Sequence, residues 1–443
     1  LERSAEVEQL FRLDSETRAQ RGRPLPGSTE SQLRDRKGRL WVATPAGDIV
    51  VTNAEGELER VRVSDAGTAG RVTELYEDLE GNIWAAAGEG GLVQIRERRA
   101  TVLTVADGLT DRSIMTLLED RSGALWVAGR SGGVDRLSGG EVRHFDIGEG
   151  RFHRPVSALC EDRSGTIWAA TRHGSVFRLE GEAFRAVEEW PKAVAIVEDK
   201  EGRLWIGGQQ GLAVVDAGKL IRIDEKHGFT ASEVTALTIG PAGEVWVGTN
   251  TGLVFRGNQT RFEQLGSDES LGQRFVSALL PDSEGALWIA TLGDGMFHWQ
   301  NGKYTRFGSE AGLPDLRLTA ILQNRGNLWL GSLAGIFRVS KTELAQVTAG
   351  KLRHAQWLHL DRSDGLLSRE CTGGNHPSGW RGSDGRLWFP TVNGVVCIQP
   401  ERMEARTDAP PVVLEQCRAN GARLPFAPGV LKAGPGRSRL EFR

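Results

Sequence analysis

With 443 residues, 39% hydrophobic and 26% charged, the chain reads as an ordinary globular protein rather than a disordered or fibrous one. A net charge of −3 and the lack of a Lys/Arg-rich block exclude any obvious nucleic-acid or anionic-membrane partner. No apolar run reaches the roughly 18 residues of a membrane helix, and no signal peptide is visible. The chain begins at Leu1, which suggests an excised or processed piece.

Near the start, Leu10, Phe11, Arg12 and Leu13 look like a lone outer strand, and a first inner strand follows near Ser31 to Arg34. From there one unit recurs. The string Gly-x-(Leu/Ile/Val)-Trp places tryptophans at 41, 84, 126, 168, 205, 246, 288, 329 and 388, a period near 42 that only the last step breaks. That period with a signature aromatic matches a four-stranded propeller blade. The copy from Val156 shows why. Alternating Val156, Ala158 and Cys160 read as a buried inner strand, and Asp162 to Gly165 as a tight turn. Ile167 to Ala170 form a second strand, with small residues beside the ring where neighbouring sheets pack. Arg172 to Gly174 make a hairpin, Val176 to Leu179 a third strand, and Phe184 to Val187 the outer one. The turn Asp recurs at 35, 78, 120, 162, 199 and 282, whereas the turn Gly occurs in all nine copies, as a required positive φ predicts.

The long last step contains a Gly/Ser/Asn-rich insert between about Asp361 and Trp380, expected to be a long loop. The ninth copy ends with Val395 to Gln399 and lacks a fourth strand of its own. A propeller hides its edges by pairing its tail with its head. The fold class expected is therefore all-β: a single closed β-propeller of four-stranded antiparallel blades, nine in number, with residues 10–14 completing the last. Eight or seven blades are the alternative if a motif is decorative. Residues 1–408 would form this body. Residues 409–443, with strands at 412–417 and 439–442, would begin a β-sandwich domain that continues beyond the chain.

Two recurrent sets are candidate ligand contacts, because function on a rigid frame concentrates in loops at one rim. Just before the inner strands stand Arg71, Arg112, Arg154, Arg274 and Arg317, with Lys192 and Glu233 in the same place in other copies. Their guanidinium forks suit a carboxylate or phosphate, and local pairing with acids is the alternative. The second-to-third-strand hairpins carry Glu89, Arg130, Arg172, His173, Gln209, Gln210, Asn250, Asp294 and Asn393. Cys160, Cys371, Cys397 and Cys417 show no C-x-x-C spacing and read as free or buried thiols. Neither a metal site nor a cofactor is expected, although His354, His359 and His376 lie close enough in sequence to cluster. No nucleophile, zinc or phosphate-loop motif occurs, so no catalytic residue is assigned.

The repeats DRKGRLWVAT at Asp35, DKEGRLWIGG at Asp199 and DSEGALWIAT at Asp282 resemble the two-component regulator propeller repeat. The stretch DGLLSRECTGGNHPSGWRGSDGRLWFPTVNGVVCIQP resembles the last blade of such sensors. PPVVLEQCRANGARLP and RSRLEFR are similar to the start of the three-tyrosine β-sandwich that follows it. The resemblance implies the periplasmic, ligand-sensing part of a bacterial membrane receptor. Its ligand would be a small molecule or oligosaccharide, its membrane segment lies outside this chain, and the full-length protein could be a homodimer. That family often carries about 14 repeats in two rings, and the sandwich tyrosines are absent here. Two other readings stay open. One is a lyase resembling the streptogramin-cleaving propellers, with a metal-binding histidine at the channel mouth. The other is a protein-docking scaffold.

Overall fold

A computed structural model describes residues 31–44, 47–52, 58–61, 71–78, 81–88, 91–95, 98–147, 155–172, 175–188, 193–266, 274–403, 417–419, 422–424 and 440–442. The chain divides between Ile398 and Gln399. In the first part each of the nine tryptophans lies on the second strand of its own antiparallel sheet. In chain order these are sheets 1 (residues 32–61), 2 (72–95), 3 (114–145), 4 (156–188), 5 (193–223), 6 (234–264), 7 (276–307), 8 (318–360) and 9 (380–398). The all-β propeller class read from the repeat is the observed one. Among the described residues helix is confined to short 3-10 turns and one eight-residue segment, Lys341–Thr348, in sheet 8.

The repeat makes these sheets for two local reasons. All nine turn glycines have positive φ, from 78° to 96°, where a side chain would be strained. The turn Asp does more than close its turn. In sheet 5 one oxygen of Asp199 accepts the main-chain N–H of Glu201, while the other accepts the indole N–H of Trp205 at 2.7 Å. The same indole bond links Asp35 to Trp41, Asp78 to Trp84, Asp120 to Trp126 and Asp162 to Trp168. Where Gly240 replaces the Asp, Glu244 accepts the indole N–H of Trp246 at 3.0 Å. Cross-strand register then puts a guanidinium over the ring: Arg178 opposite Trp168, Arg256 opposite Trp246 and Arg338 opposite Trp329.

Sheets 3 to 9 follow one another in a cycle. Trp126 and Phe145 of sheet 3 pack with Phe177 and Phe184 of sheet 4, and the pattern continues around to sheet 8. Sheet 8 meets sheet 9 through Asn324, which donates to the Gly385 carbonyl at 3.0 Å. Sheet 9 then meets sheet 3, where Trp388, Val395 and Cys397 pack with Ile114, Leu117 and Val127. One polar joint repeats at these seams. Glu161 at the end of an inner strand accepts the main-chain N–H of Arg121 in the preceding sheet, and Glu198 that of Arg163. Glu119 of sheet 3 accepts the N–H of Ser383 in sheet 9 at 3.0 Å, the same joint bridging the two ends of the cycle.

The closing strand differs from expectation. Ala100–Leu103 supplies the fourth strand of sheet 9, pairing Ala100 with Ile398 and Leu103 with Val395. That position, expected for residues 10–14, is filled by Ala100–Leu103; residues 10–14 themselves lie outside the described residues. The cycle holds seven blades rather than nine. Sheets 1 and 2 stand outside it and share their own core of Trp41, Val51, Val72 and Leu75. Among the described residues sheet 2 has three strands.

In the second part the described strands are Cys417–Ala419, Ala422–Leu424 and Leu440–Phe442, one antiparallel sheet with the first of them central.

Candidate functional site

The insert is the long loop expected, and part of it turns inward. Its residues 371–379 run along the inner strands of the cycle. The His376 N–H donates to Ser157 O at 2.9 Å, and the Leu159 N–H donates to His376 O at 3.0 Å. Thr116 Oγ1 donates to Pro377 O at 2.8 Å, and the Thr372 N–H to Pro390 O at 3.0 Å. Gly373 lies so close to Thr319 that a Cβ there would sit 2.8 Å from it. The segment thus meets the walls formed by sheets 3, 4, 8 and 9, satisfying its main-chain groups there as buried backbone requires. Glycine permits the close approach.

His376 is held within this interior segment. Burial pushes its imidazole down to about 4, with the main chain of Ile196 and Leu237 acting weakly the other way. Its Nδ1 is buried without a partner. The three histidines read as a possible cluster do not converge: His354 Nδ1 meets Glu310 O and His359 Nε2 meets Ala334 O. Among the described residues no three His, Cys, Asp or Glu side chains could hold a metal together. Cys160, Cys371 and Cys397 are free thiols, and burial raises Cys160 and Cys371 to about 12.

The two sets of rim residues meet on one face. The first hairpin residue of several sheets donates its N–H to a carbonyl just before the inner strand: Arg130 to Ser113, Arg172 to Pro155 and Leu333 to Arg317. Arg112 reaches across the closing seam to Asn393 Oδ1 at 3.4 Å. Asn250 Nδ2 donates to Glu233 at 2.8 Å. Asp294 accepts from Arg306 at 2.8 Å and faces Arg274 at 3.6 Å. Arg317 forks onto Asp315 at 3.0 and 3.2 Å. Gln209 is exposed, while Gln210 accepts from Arg222 at 2.6 Å beside a shallow cleft that Phe229 and Ser232 also line. Arg71 belongs to sheet 2 and stands outside the cycle. Arg154, Lys192, Glu89 and His173 lie outside the described residues. What the sequence could not reveal is the partner of Arg172, whose terminal nitrogen donates to Gly374 O at 3.0 Å and Asn375 Oδ1 at 2.9 Å in the interior segment.

Sheets of one repeat, set in a cycle and joined by a shared strand, define a β-propeller with the insert along its inner strands and a polar rim. Three stretches, residues 150–173, 191–210 and 270–293, match the two component regulator propeller family. No curated protein sequence matches it. Among solved structures, it resembles the extracellular domain of the hybrid two component system BT3049 from B. thetaiotaomicron. The TM-score is 0.69 and the identity 20%, over 92% of this chain and 55% of that one. The extracellular domain of BT4673 from the same organism matches with a TM-score of 0.54 and 18% identity, over 89% of this chain and 56% of that one. A streptogramin B lyase matches with a TM-score of 0.53 and 16% identity, over 69% of this chain and 99% of that one. The chain thus spans about half the length of the two extracellular domains. No helix among the described residues is long and apolar enough to cross a membrane.

Proposed function

We propose that this chain is the extracytoplasmic ligand-sensing propeller of a bacterial membrane receptor, placed in the periplasm and attached through a segment outside this sequence. The match of its repeats to the two component regulator propeller family carries this reading. The ligand, a small molecule or oligosaccharide, sits on the rim where the hairpins meet the loops before the inner strands, because the insert along the inner strands leaves that rim as the varied polar surface. The signal passes to the domain that begins after the propeller, and the full-length receptor works as a dimer. The chain binds rather than converts its ligand.

A thermal-shift screen of oligosaccharides and small acids tests this. A binder raises the melting temperature in proportion to the logarithm of its excess over Kd. Its mass is unchanged after incubation, and Arg112→Glu, an exposed change, weakens the effect. A compound recovered cleaved, with turnover lost in His376→Ala and metal in the pure protein, would instead establish a lyase.

A further inference from the structure

The first hairpin position is arginine in two neighbouring sheets of the cycle, Arg130 in sheet 3 and Arg172 in sheet 4. At the other described positions of this kind stand Gln209, Asn250, Leu292, Leu333 and Val392. Elsewhere on the rim, Arg274 and Arg306 share Asp294 and Arg317 has Asp315, while the exposed Arg112 meets the neutral Asn393. Arg172 has only neutral acceptors, the Gly374 carbonyl and the Asn375 amide oxygen. Its Nε is buried with no partner. Among the described residues no carboxylate forms an ion pair with Arg172 or Arg130. The acid in the adjoining loop, Asp111, is engaged by the main-chain N–H groups of Ser113 and Ser131. Burial, then the neighbouring charge of Arg130, draws Arg172 below the usual arginine range. A half-buried cation beside a second cation, with no counter-charge among the described residues, is costly unless an anion joins it.

We propose that Arg130 and Arg172 together hold an oxyanion, the carboxylate, sulfate or phosphate group of a small ligand, against the outer end of the interior segment. This rests on the sensing reading and names the chemistry its ligand must carry. The anion takes the Nη1 group of Arg172, which makes no hydrogen bond among the described residues, and the exposed fork of Arg130, an arrangement that charge-assisted bonds to a planar or tetrahedral oxyanion satisfy. Arg172 also grips Gly374 and Asn375, so the bound anion touches, through one side chain, the segment that leads into sheet 9.

The test uses the 443-residue chain with phosphate, sulfate and acetate as probes, each titrated against sodium chloride of equal ionic strength. Melting temperature and calorimetry are the readouts. The expected result is saturable binding of at least one probe, weakened roughly tenfold or more in Arg130→Gln, whose exposed side chain leaves folding intact. Arg172→Gln behaves likewise, and Arg172→Lys, which keeps the charge but loses the fork, retains part of the affinity. The order of the three probes separates carboxylate from sulfate and phosphate. Equal binding by wild type and Arg130→Gln, or saturable binding of none, overturns the oxyanion site. A neutral ligand that stabilises wild type and Arg130→Gln alike also overturns it, while leaving the sensing reading in place.

Discussion

Sheets 1 and 2 are written in the same repeat as sheets 3 to 9, yet the two regions end differently. In the cycle every sheet has a neighbour on each face, and Trp205 and Trp246 are fully buried, although Trp168 of sheet 4 is only partly so. In the pair, Trp41 lies under sheet 2 at 5% exposure, but Trp84 on sheet 2 is only partly buried. Tyr76 and Leu92 of sheet 2 are 61% and 67% exposed. The repeat therefore specifies a blade, and its neighbours decide what the blade's tryptophan contributes. Burial of an aromatic ring on both faces stabilises more than burial on one.

The sharpest way to break this comparison is to move the start of the chain. A chain beginning at residue 98 keeps Ala100–Leu103 and should melt as the full ring does. One beginning at residue 105 lacks the closing strand and should lose roughly 3–5 kcal/mol, a fall on the order of 10 °C by calorimetry. Equal melting of the two would mean that this strand does not fasten the cycle. Next in size is the aromatic contrast: Trp205→Ala should cost about 3–5 kcal/mol in urea unfolding, and Trp84→Ala well under half of that. Similar costs would erase the distinction between the regions.

The smallest effect comes from the turn acids. Burial alone would raise the Asp199 carboxyl, but hydrogen bonds from Trp205 and Arg203, with the Arg203 charge, outweigh it and hold the group below 3.8. Asp35, Asp120 and Asp162 are lowered by the same kind of bonding against burial. A carboxyl with a depressed folded value adds stability that is complete above 3.8 and fades as pH falls below it through the folded value. Asp199→Ala should therefore cost about 1–2 kcal/mol at pH 6 and progressively less as the pH is taken down from 3.8, read from urea midpoints along that series. A cost independent of pH would show that the carboxylate charge is not what matters.

Much of this was legible beforehand because it is local. The tryptophan period gives the sheets, and the invariant glycines give the turns. The destination of Ala100–Leu103 was not legible. Its four residues read like any outer strand, and nothing in an outer strand marks whether its partner lies a few residues or nearly 300 residues away. The insert is the long loop expected, but its inward course was not legible for a related reason. Gly373 and Gly374 look like loop residues until the inner wall supplies partners for their neighbours. At the rim, residue types placed the arginines on one face. Whether an arginine meets an acid, as Arg317 does, or an uncharged carbonyl, as Arg172 does, depends on folds of the chain far away in sequence.

The register of the closing strand has a mechanical corollary. Ala100 lies opposite Ile398, so the polypeptide comes into the ring and departs from it side by side, at one end of one blade. Tension applied between the two flanking portions would peel that ladder open one rung at a time instead of shearing all its rungs together. The other six blades would feel the load only after this one had yielded.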